Sequence, residues 1–155
     1  MAVYNLAKRE QNSHVSKHSS KALSWSHSFD VTPAADNVVS LGDGDIIHIG
    51  KLPAECFVTS MVILTHEGFS VGTFDLGFIG DFPDVSLTPI ATTIDLTADN
   101  TSTVVTLPTS GVVNGNGIWS GVDGISLAVK CNGVPTTGAC TLVIGFSSFE
   151  GYANT

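Results

Sequence analysis

Apolar residues recur at every second position in a series of short runs along this chain, and glycine, proline and aspartate separate one run from the next. The first run alternates Trp25, His27 and Phe29 with serines and an aspartate. This alternation predicts half-buried β-strands, because successive side chains of a strand point to opposite faces. No window of a dozen residues has the spacing of an amphipathic helix. The chain is therefore predicted to be all-β.

Further strands are predicted from the same signals at 45–49, 56–66, 71–79, 103–107, 125–131 and 140–146. Turn residues fall between these runs, and the connections differ in length. With 155 residues, the chain has room for one domain with a proper core. About 7–8 short strands with such turns are typical of a sandwich, jelly roll or barrel. Because the connections are unequal, we expect a jelly-roll-like β-sandwich over residues 25–155.

Residues 1–24 have a different composition, rich in Ser, Lys, His and Asn, without sustained apolar periodicity. In a free monomer such a segment would be a disordered tail. Scattered apolar residues could nevertheless fill pockets on a partner, so we predict an extended N-terminal arm that orders on assembly. The residues expected to bind the partner are two apolar anchors and four basic residues: Tyr4, Leu6, Lys8, Arg9, Lys17 and Lys21.

The charge of the chain is low and unevenly distributed. Only 13% of the residues are charged, and the net charge is −8. The first 28 positions hold four basic residues and one acid, a net charge of +3, whereas the remainder holds two lysines and thirteen acids, a net charge of −11. A basic arm on an acidic body suits docking on an acidic surface. Nucleic acid is not expected as the target, because the basic residues are few and no aromatic platform accompanies them.

No motif in the sequence predicts an enzyme. Residues 68–72 match the G-x-S-x-G nucleophile elbow, but that motif requires a strand-to-helix turn, and here the next residues continue as a strand. His48 and His66 lie on predicted strands and are interpreted as structural residues. His14 and His18 are four residues apart without a helical pattern or a third ligand. We therefore expect no catalytic residue and no cofactor.

Two acidic pairs and two cysteines are further candidates for a binding site. Asp43 with Asp45, and the aspartates of the 81–84 loop, offer oxygen ligands of the kind that calcium prefers. Neither pair has the spacing of a calcium loop, and aspartate also favours turns, so turn chemistry is the preferred interpretation. Cys131 and Cys140 flank a predicted hairpin and are expected to be reduced thiols rather than a disulfide or a zinc site. No metal site is predicted.

The chain has no apolar run long enough to cross a membrane, the longest being Met61 to Leu64. Its first residues are polar and lack the apolar core of a secretory signal. Synthesis in a cytoplasm is therefore expected.

The order of several segments resembles that of small virion structural proteins of tailed bacteriophages. These segments are Phe29-Asp30-Val31, Ala35 to Val39, Asp45 to Ala54, Val58-Thr59-Ser60, Thr73 to Gly77, Gly124 to Leu127 and Cys140 to Ile144. The resemblance covers roughly residues 29–146 and does not extend to the arm. It implies a jelly-roll-like domain of the virion without catalytic residues to carry over.

More specifically, the resemblance implies a capsid decoration or cement protein, made in the host cytoplasm. Such proteins commonly form homotrimers on the capsid surface and reinforce joints between major capsid protein subunits. A head-fibre base or tail component is an alternative that the same fold could serve. A carbohydrate-binding β-sandwich is another, for which the aromatic residues outside the phenylalanine-rich core would be needed in a cleft: Tyr4, Trp25, Trp119 and Tyr152.

Overall fold

A computed structural model describes residues 1–5, 23–30, 41–52, 56–107, 118–119 and 125–148 of the chain. Every regular element in these ranges is a strand. The strands are β1 Val3–Asn5, β2 Leu23–Asp30, β3 Ile46–Lys51, β4 Cys56–Glu67, β5 Thr73–Ile79, β6 Thr88–Ile94, β7 Thr101–Val104, β8 Ile118–Trp119, β9 Ser126–Asn132 and β10 Ala139–Ser148. The all-β prediction is confirmed.

The strands form two sheets. Sheet A has the order β1-β3-β9-β5-β6, and sheet B has the order β2-β10-β4-β7, with the short β8 also paired to β4. Apart from β1, which runs parallel to β3, all neighbouring strands are antiparallel. The longest pairing joins β10 to β4, where alternate residues such as Ile63 and Leu142 are buried and in register.

This strand order is that of a jelly roll. When β1 and β8 are set aside, the chain passes from one sheet to the other at each connection except that between β5 and β6. The resulting orders, 2-10-4-7 and 3-9-5-6, place eight strands in two sheets of four. The predicted jelly-roll-like β-sandwich is therefore confirmed in its topology.

One core fills the space between the sheets. Strict alternation in β5 and β9 turns Phe74, Leu76, Leu127 and Val129 inwards, as period-two patterning requires. The opposing layer comes from β4 and β10, with Met61, Ile63, Leu142 and Ile144 among its members. Phe69, in the connection between β4 and β5, packs edge-on against Phe74 with ring centroids 4.6 Å apart. The two sheets are thus held together by apolar burial.

Four strands differ from the sequence prediction, among them β8, which at two residues is too short to show periodicity. β6 was not predicted, because TPIATTI is rich in threonine and contains Pro89; it lies at the edge of sheet A, where proline is tolerated. β7 covers Thr101–Val104 rather than the predicted 103–107, although Val105 is buried as an apolar residue of that run should be. β1 lies within the predicted arm and was missed because three residues show no periodicity.

Candidate interaction surfaces

The first strand, β1, is docked on the edge of sheet A by a buried carboxylate. Val3, Tyr4 and Asn5 pair in parallel with residues 46–48. The Ala2 amide donates a hydrogen bond to Asp45 Oδ1 at 2.5 Å, and the Ile46 amide donates to the Ala2 carbonyl at 3.0 Å. Asp45 is only 6% exposed. Its carboxylate therefore forms a receptor for the backbone of β1.

The same carboxylate organises the turn that precedes β3. Asp45 Oδ2 accepts a hydrogen bond from the Gly42 amide at 2.7 Å, and Asp43 Oδ1 accepts one from Gly133 at 2.9 Å. The aspartates thus bind backbone amides of the turn and of the connection between β9 and β10, so the turn interpretation of this acidic pair is confirmed. The role of Asp45 in holding β1 was not visible in the sequence, because its partner lies 43 positions away.

Of the residues expected to bind a partner, the structure describes only Tyr4. Its side chain is half-buried and packs against the main core of its own chain. The others, Leu6, Lys8, Arg9, Lys17 and Lys21, lie outside the described residues. The arm boundary and its binding role therefore stay predictions.

A loop covers the outer face of sheet A. Residues 80–87 connect β5 to β6 and place Leu87 on a small apolar cluster of Ile46, Ile79 and Ala128. His48, on the same face and only 3% exposed, donates from Nε2 to the Asp84 carbonyl over 2.8 Å. This contact agrees with the interpretation of His48 as a structural residue. The face is thus closed by the chain itself.

Asp84 holds this loop in shape. Its carboxylate accepts backbone hydrogen bonds from Gly80 at 2.9 Å, Val85 at 2.8 Å and Ser86 at 3.1 Å. These bonds, first that from Ser86, lower the pKa of Asp84 below its ordinary value of 3.8, because they favour the charged carboxylate. Asp81, the other acid of the loop, contacts Lys51 Nζ at 3.5 Å. Asp84 therefore serves turn chemistry, as preferred from the sequence, whereas the Asp81 carboxylate contacts β3.

The loop also presents apolar side chains to solvent. Phe82 is 45% exposed and Val85 is 44% exposed. Phe82 meets the ring of His48 edge-on, with centroids 5.4 Å apart. Beside the loop, a shallow groove of about 250 Å³ runs between Met1 and Pro89, with Asp75 and Lys130 among its lining residues. This groove is small, wide open and half polar, which is unlike the enclosed apolar pocket of a small-molecule site.

The outer face of sheet B carries a row of valines. Val104, Val62 and Val143 lie in register on the adjacent strands β7, β4 and β10. The neighbouring row contains Leu64, with Ser102 and Thr141 as its partners. None of these six residues is charged, and none belongs to either core cluster. We call this surface the valine face; its signal in the sequence is the alternation of Val62 and Leu64 with buried residues of β4.

The serine and histidines considered for catalysis make structural contacts. Ser70 lies in the connection between β4 and β5, and its Oγ accepts a hydrogen bond from the Thr136 amide at 2.9 Å. This position confirms that residues 68–72 form a turn rather than a nucleophile elbow. His66 Nε2 lies 2.8 Å from Thr141 Oγ1, at the end of the valine face. Within the described ranges, no group of three His, Cys, Asp or Glu side chains is placed to hold a metal ion.

Cys131 and Cys140 are free, buried thiols. Cys131 belongs to sheet A and Cys140 to sheet B, because β9 and β10 do not pair; the predicted hairpin is wrong, and the connection crosses from one sheet to the other. Burial raises the pKa of Cys131 to about 11, with Asp45 and Asp43 adding to the effect, and burial also raises the pKa of Cys140. Both are therefore protonated, unreactive core residues at neutral pH, as expected from the sequence.

The part of the chain that the structure describes contains no helix long and apolar enough to cross a membrane. Of the aromatic residues considered for glycan binding, Tyr4 packs on the core, and the side chains of Trp25, Trp119 and Tyr152 lie outside the described set.

Comparison with known proteins gives a likeness of fold. No known protein family matches the sequence, and no curated protein matches it. A chain from a solved structure described as the capsid of Ralstonia phage GP4 superposes with a TM-score of 0.70 at 16% identity, covering 95% of this chain and 98% of that one. A chain from the cyanophage Pam1 capsid asymmetric unit gives a TM-score of 0.46 at 10% identity, covering 82% and 84%. The chain is similar to the first of these in fold over nearly its whole length.

Proposed function

We propose that this chain is a bacteriophage virion structural protein that decorates the outer surface of the capsid. In this role it forms a homotrimer, binds major capsid protein subunits and strengthens the joints between them. It has no enzymatic activity in this proposal. The observation that carries the proposal is the fold likeness to a chain of the Ralstonia phage GP4 capsid, which extends over 95% of this chain and 98% of that chain.

Near-complete coverage of both chains matters because jelly rolls serve many functions. Here the likeness extends over 95% of this chain and 98% of that chain. This supports a common structural role more strongly than the jelly roll alone does.

The described chemistry fits a protein that works by contact. The aspartates at the turns bind backbone amides, and the candidate serine and histidines are engaged in loop and strand contacts. A capsid offers many identical sites, so a trimer that engages several of them gains affinity through high effective concentration. In the proposal the arm, with its net charge of +3, supplies part of that contact.

The first experiment measures the mass of the purified chain by light scattering and then its co-sedimentation with capsids that lack it. A trimer that pellets with capsids in hundreds of copies per particle is expected. A small copy number would favour the head-fibre or tail alternative. A monomer that stays in the supernatant would overturn the proposal.

An arm without its basic side chains tests the arm without removing β1. The variant changes the four basic arm residues to glutamine: Lys8, Arg9, Lys17 and Lys21. It is expected to weaken capsid binding, most clearly at low salt, where surface charges are least screened. The matched control, Lys51→Gln with Lys130→Gln, changes the charge of the body alone and should bind as the unaltered chain does. Equal binding by both variants would exclude the arm from the contact.

A further inference from the structure

The edge of β3 is a built docking site for an extended segment. The site provides a buried carboxylate, that of Asp45, which accepts a hydrogen bond from the incoming strand at Ala2. It also provides three parallel strand pairs and an apolar contact for Tyr4 on the main core. Without a strand in this position, the Ile46 amide would lose its acceptor and Asp45 would lose a donor. One backbone amide and one carboxylate oxygen would then be left at an open sheet edge with no partner from the protein, and this favours an occupied site.

The occupant is joined to the sandwich by a long connection. Residues 6–22, seventeen in all, link β1 to β2. Fully extended, that length of chain reaches up to about 60 Å. A compact domain of this size is roughly 40 Å across. The connection is therefore long enough for β1 to reach the β3 edge of a neighbouring copy.

Charge favours the neighbouring copy once several copies assemble. Each body, from residue 29 onward, carries a net charge of −11, so bodies in contact repel one another. The connection holds the four basic residues of the arm. A connection that crosses to the next body brings these basic residues to a second acidic body, which opposes the repulsion. The strand contacts are the same in both arrangements, which is the condition under which exchange costs little.

We propose that residues 1–5 of one copy add as a parallel strand to β3 of a neighbouring copy, so that β1 is exchanged between subunits. This is strand addition to a sheet edge, with Asp45 and the Tyr4 contact fixing its register. The inference deepens the proposed function, because it rests on the oligomer proposed there. Tyr4 then binds a partner, and that partner is a second copy of the chain.

Cysteine pairing between two co-expressed chains tests the exchange. A tagged chain carries Val3→Cys and an untagged chain carries Ile46→Cys. These two positions are register partners in the pairing of β1 with β3. Paired strand positions lie within disulfide distance. Both chains carry Cys56→Ser, and the buried thiols of Cys131 and Cys140 stay unreactive. After mild oxidation of the purified oligomer, a disulfide between tagged and untagged chains is expected.

The matched control moves the second cysteine away from the docking site. Val134, in the connection between β9 and β10, is 58% exposed, so Val134→Cys in place of Ile46→Cys measures chance collision. If β1 is exchanged, the yield of disulfide-linked chains should be about ten times higher with Ile46→Cys than with Val134→Cys. A single chain carrying both Val3→Cys and Ile46→Cys should then form linked oligomers. Equal yields in the two mixtures, or only intrachain disulfides in the double variant, would overturn the exchange.

Co-sedimentation of the same samples with capsids separates this inference from the proposed function. Oligomers that pellet with capsids but contain only intrachain disulfides overturn strand exchange and leave the capsid role standing. Exchanged oligomers that do not bind capsids support strand exchange and overturn the capsid role. A chain that is monomeric at all concentrations overturns both.

Discussion

On the outer face of sheet A, the loop 80–87 lies over Ile46, Ile79 and Ala128, and it buries His48 to 3% exposure. On the outer face of sheet B, the valine face lies outside both core clusters, and Val104 at its edge is 73% exposed. The two sheets share the same core between them, yet only sheet A has a second apolar layer among the described residues. Substitutions on the outside of sheet A should therefore cost much more stability than matched substitutions on the outside of sheet B.

The largest difference is expected between Ile46→Ala and Val143→Ala. Ile46 is 1% exposed beneath the loop and beside β1, so truncation removes buried methyl groups and leaves a cavity, a loss of about 3 kcal/mol. Val143 is half-buried and faces outwards, so its truncation should cost about 1 kcal/mol or less. Equilibrium unfolding in urea, at one chain concentration, measures both. Equal losses would mean that the valine face is also packed in solution.

Two glycines allow the same comparison with an added methyl group. A Cβ on Gly77, on the outside of sheet A, would meet the Thr88 carbonyl oxygen at 2.3 Å and the Pro89 Cα at 2.9 Å. Because these backbone atoms of Thr88 and Pro89 cannot rotate out of contact, Gly77→Ala should lower the free energy of unfolding by about 2 kcal/mol or more. A Cβ on Gly145, on the outside of sheet B, would clash with the Ser60 hydroxyl at 2.4 Å, which can rotate, and its other near neighbours lie at 3.6 Å or more.

Because the Ser60 hydroxyl can rotate away, Gly145→Ala should lower the free energy of unfolding by less than about 1 kcal/mol. Thermal unfolding of both variants is the measurement. A large loss for Gly145→Ala that Ser60→Ala does not relieve would contradict the expected freedom of the sheet B surface.

The sequence allowed the sandwich to be predicted but not this difference between its faces. Period-two runs such as 125–131 and 140–146 show which residues alternate, and the structure confirms their inward members. Which outward face is covered depends on where the loop 80–87 lies, and its polar contacts with β3 join residues 30 or more positions apart, as between Lys51 and Asp81 or His48 and Asp84. The docking of β1 on Asp45 has the same long-range origin. Local pattern carries no information about such pairings.

A smaller effect is expected when the loop is loosened through Asp84. Hydrogen bonds to the amides of Ser86, Gly80 and Val85 lower the pKa of the Asp84 carboxyl below 3.8. A lowered pKa in the folded chain means that the carboxylate stabilises the loop above the unfolded pKa of about 4, and that this contribution disappears as the pH falls through the folded value. Asp84→Ala should remove it at every pH.

Hydrogen exchange of the Val85 and Ser86 amides reports the loosening. Protection should fall in acid for the unaltered chain and be low throughout in Asp84→Ala. Asp95→Ala is the control, since hydrogen bonds from Thr97 also lower the pKa of Asp95, but that residue does not hold the loop over sheet A. Loss of loop protection in the Asp95 variant would show that the loop responds to general destabilisation.

The smallest effect is expected for Lys51→Ala. Lys51 Nζ lies 3.5 Å from Asp81 Oδ1, with side chains 49% and 79% exposed, and this ion pair joins β3 to the covering loop. Exposed pairs contribute little, so we expect a loss of about 0.5 kcal/mol or less, which should vanish as salt is added. Urea unfolding at low and high salt measures it. A loss as large as that of Ile46→Ala would mean that charge rather than apolar burial holds the loop on sheet A, and the difference between the two faces would then weaken at high ionic strength.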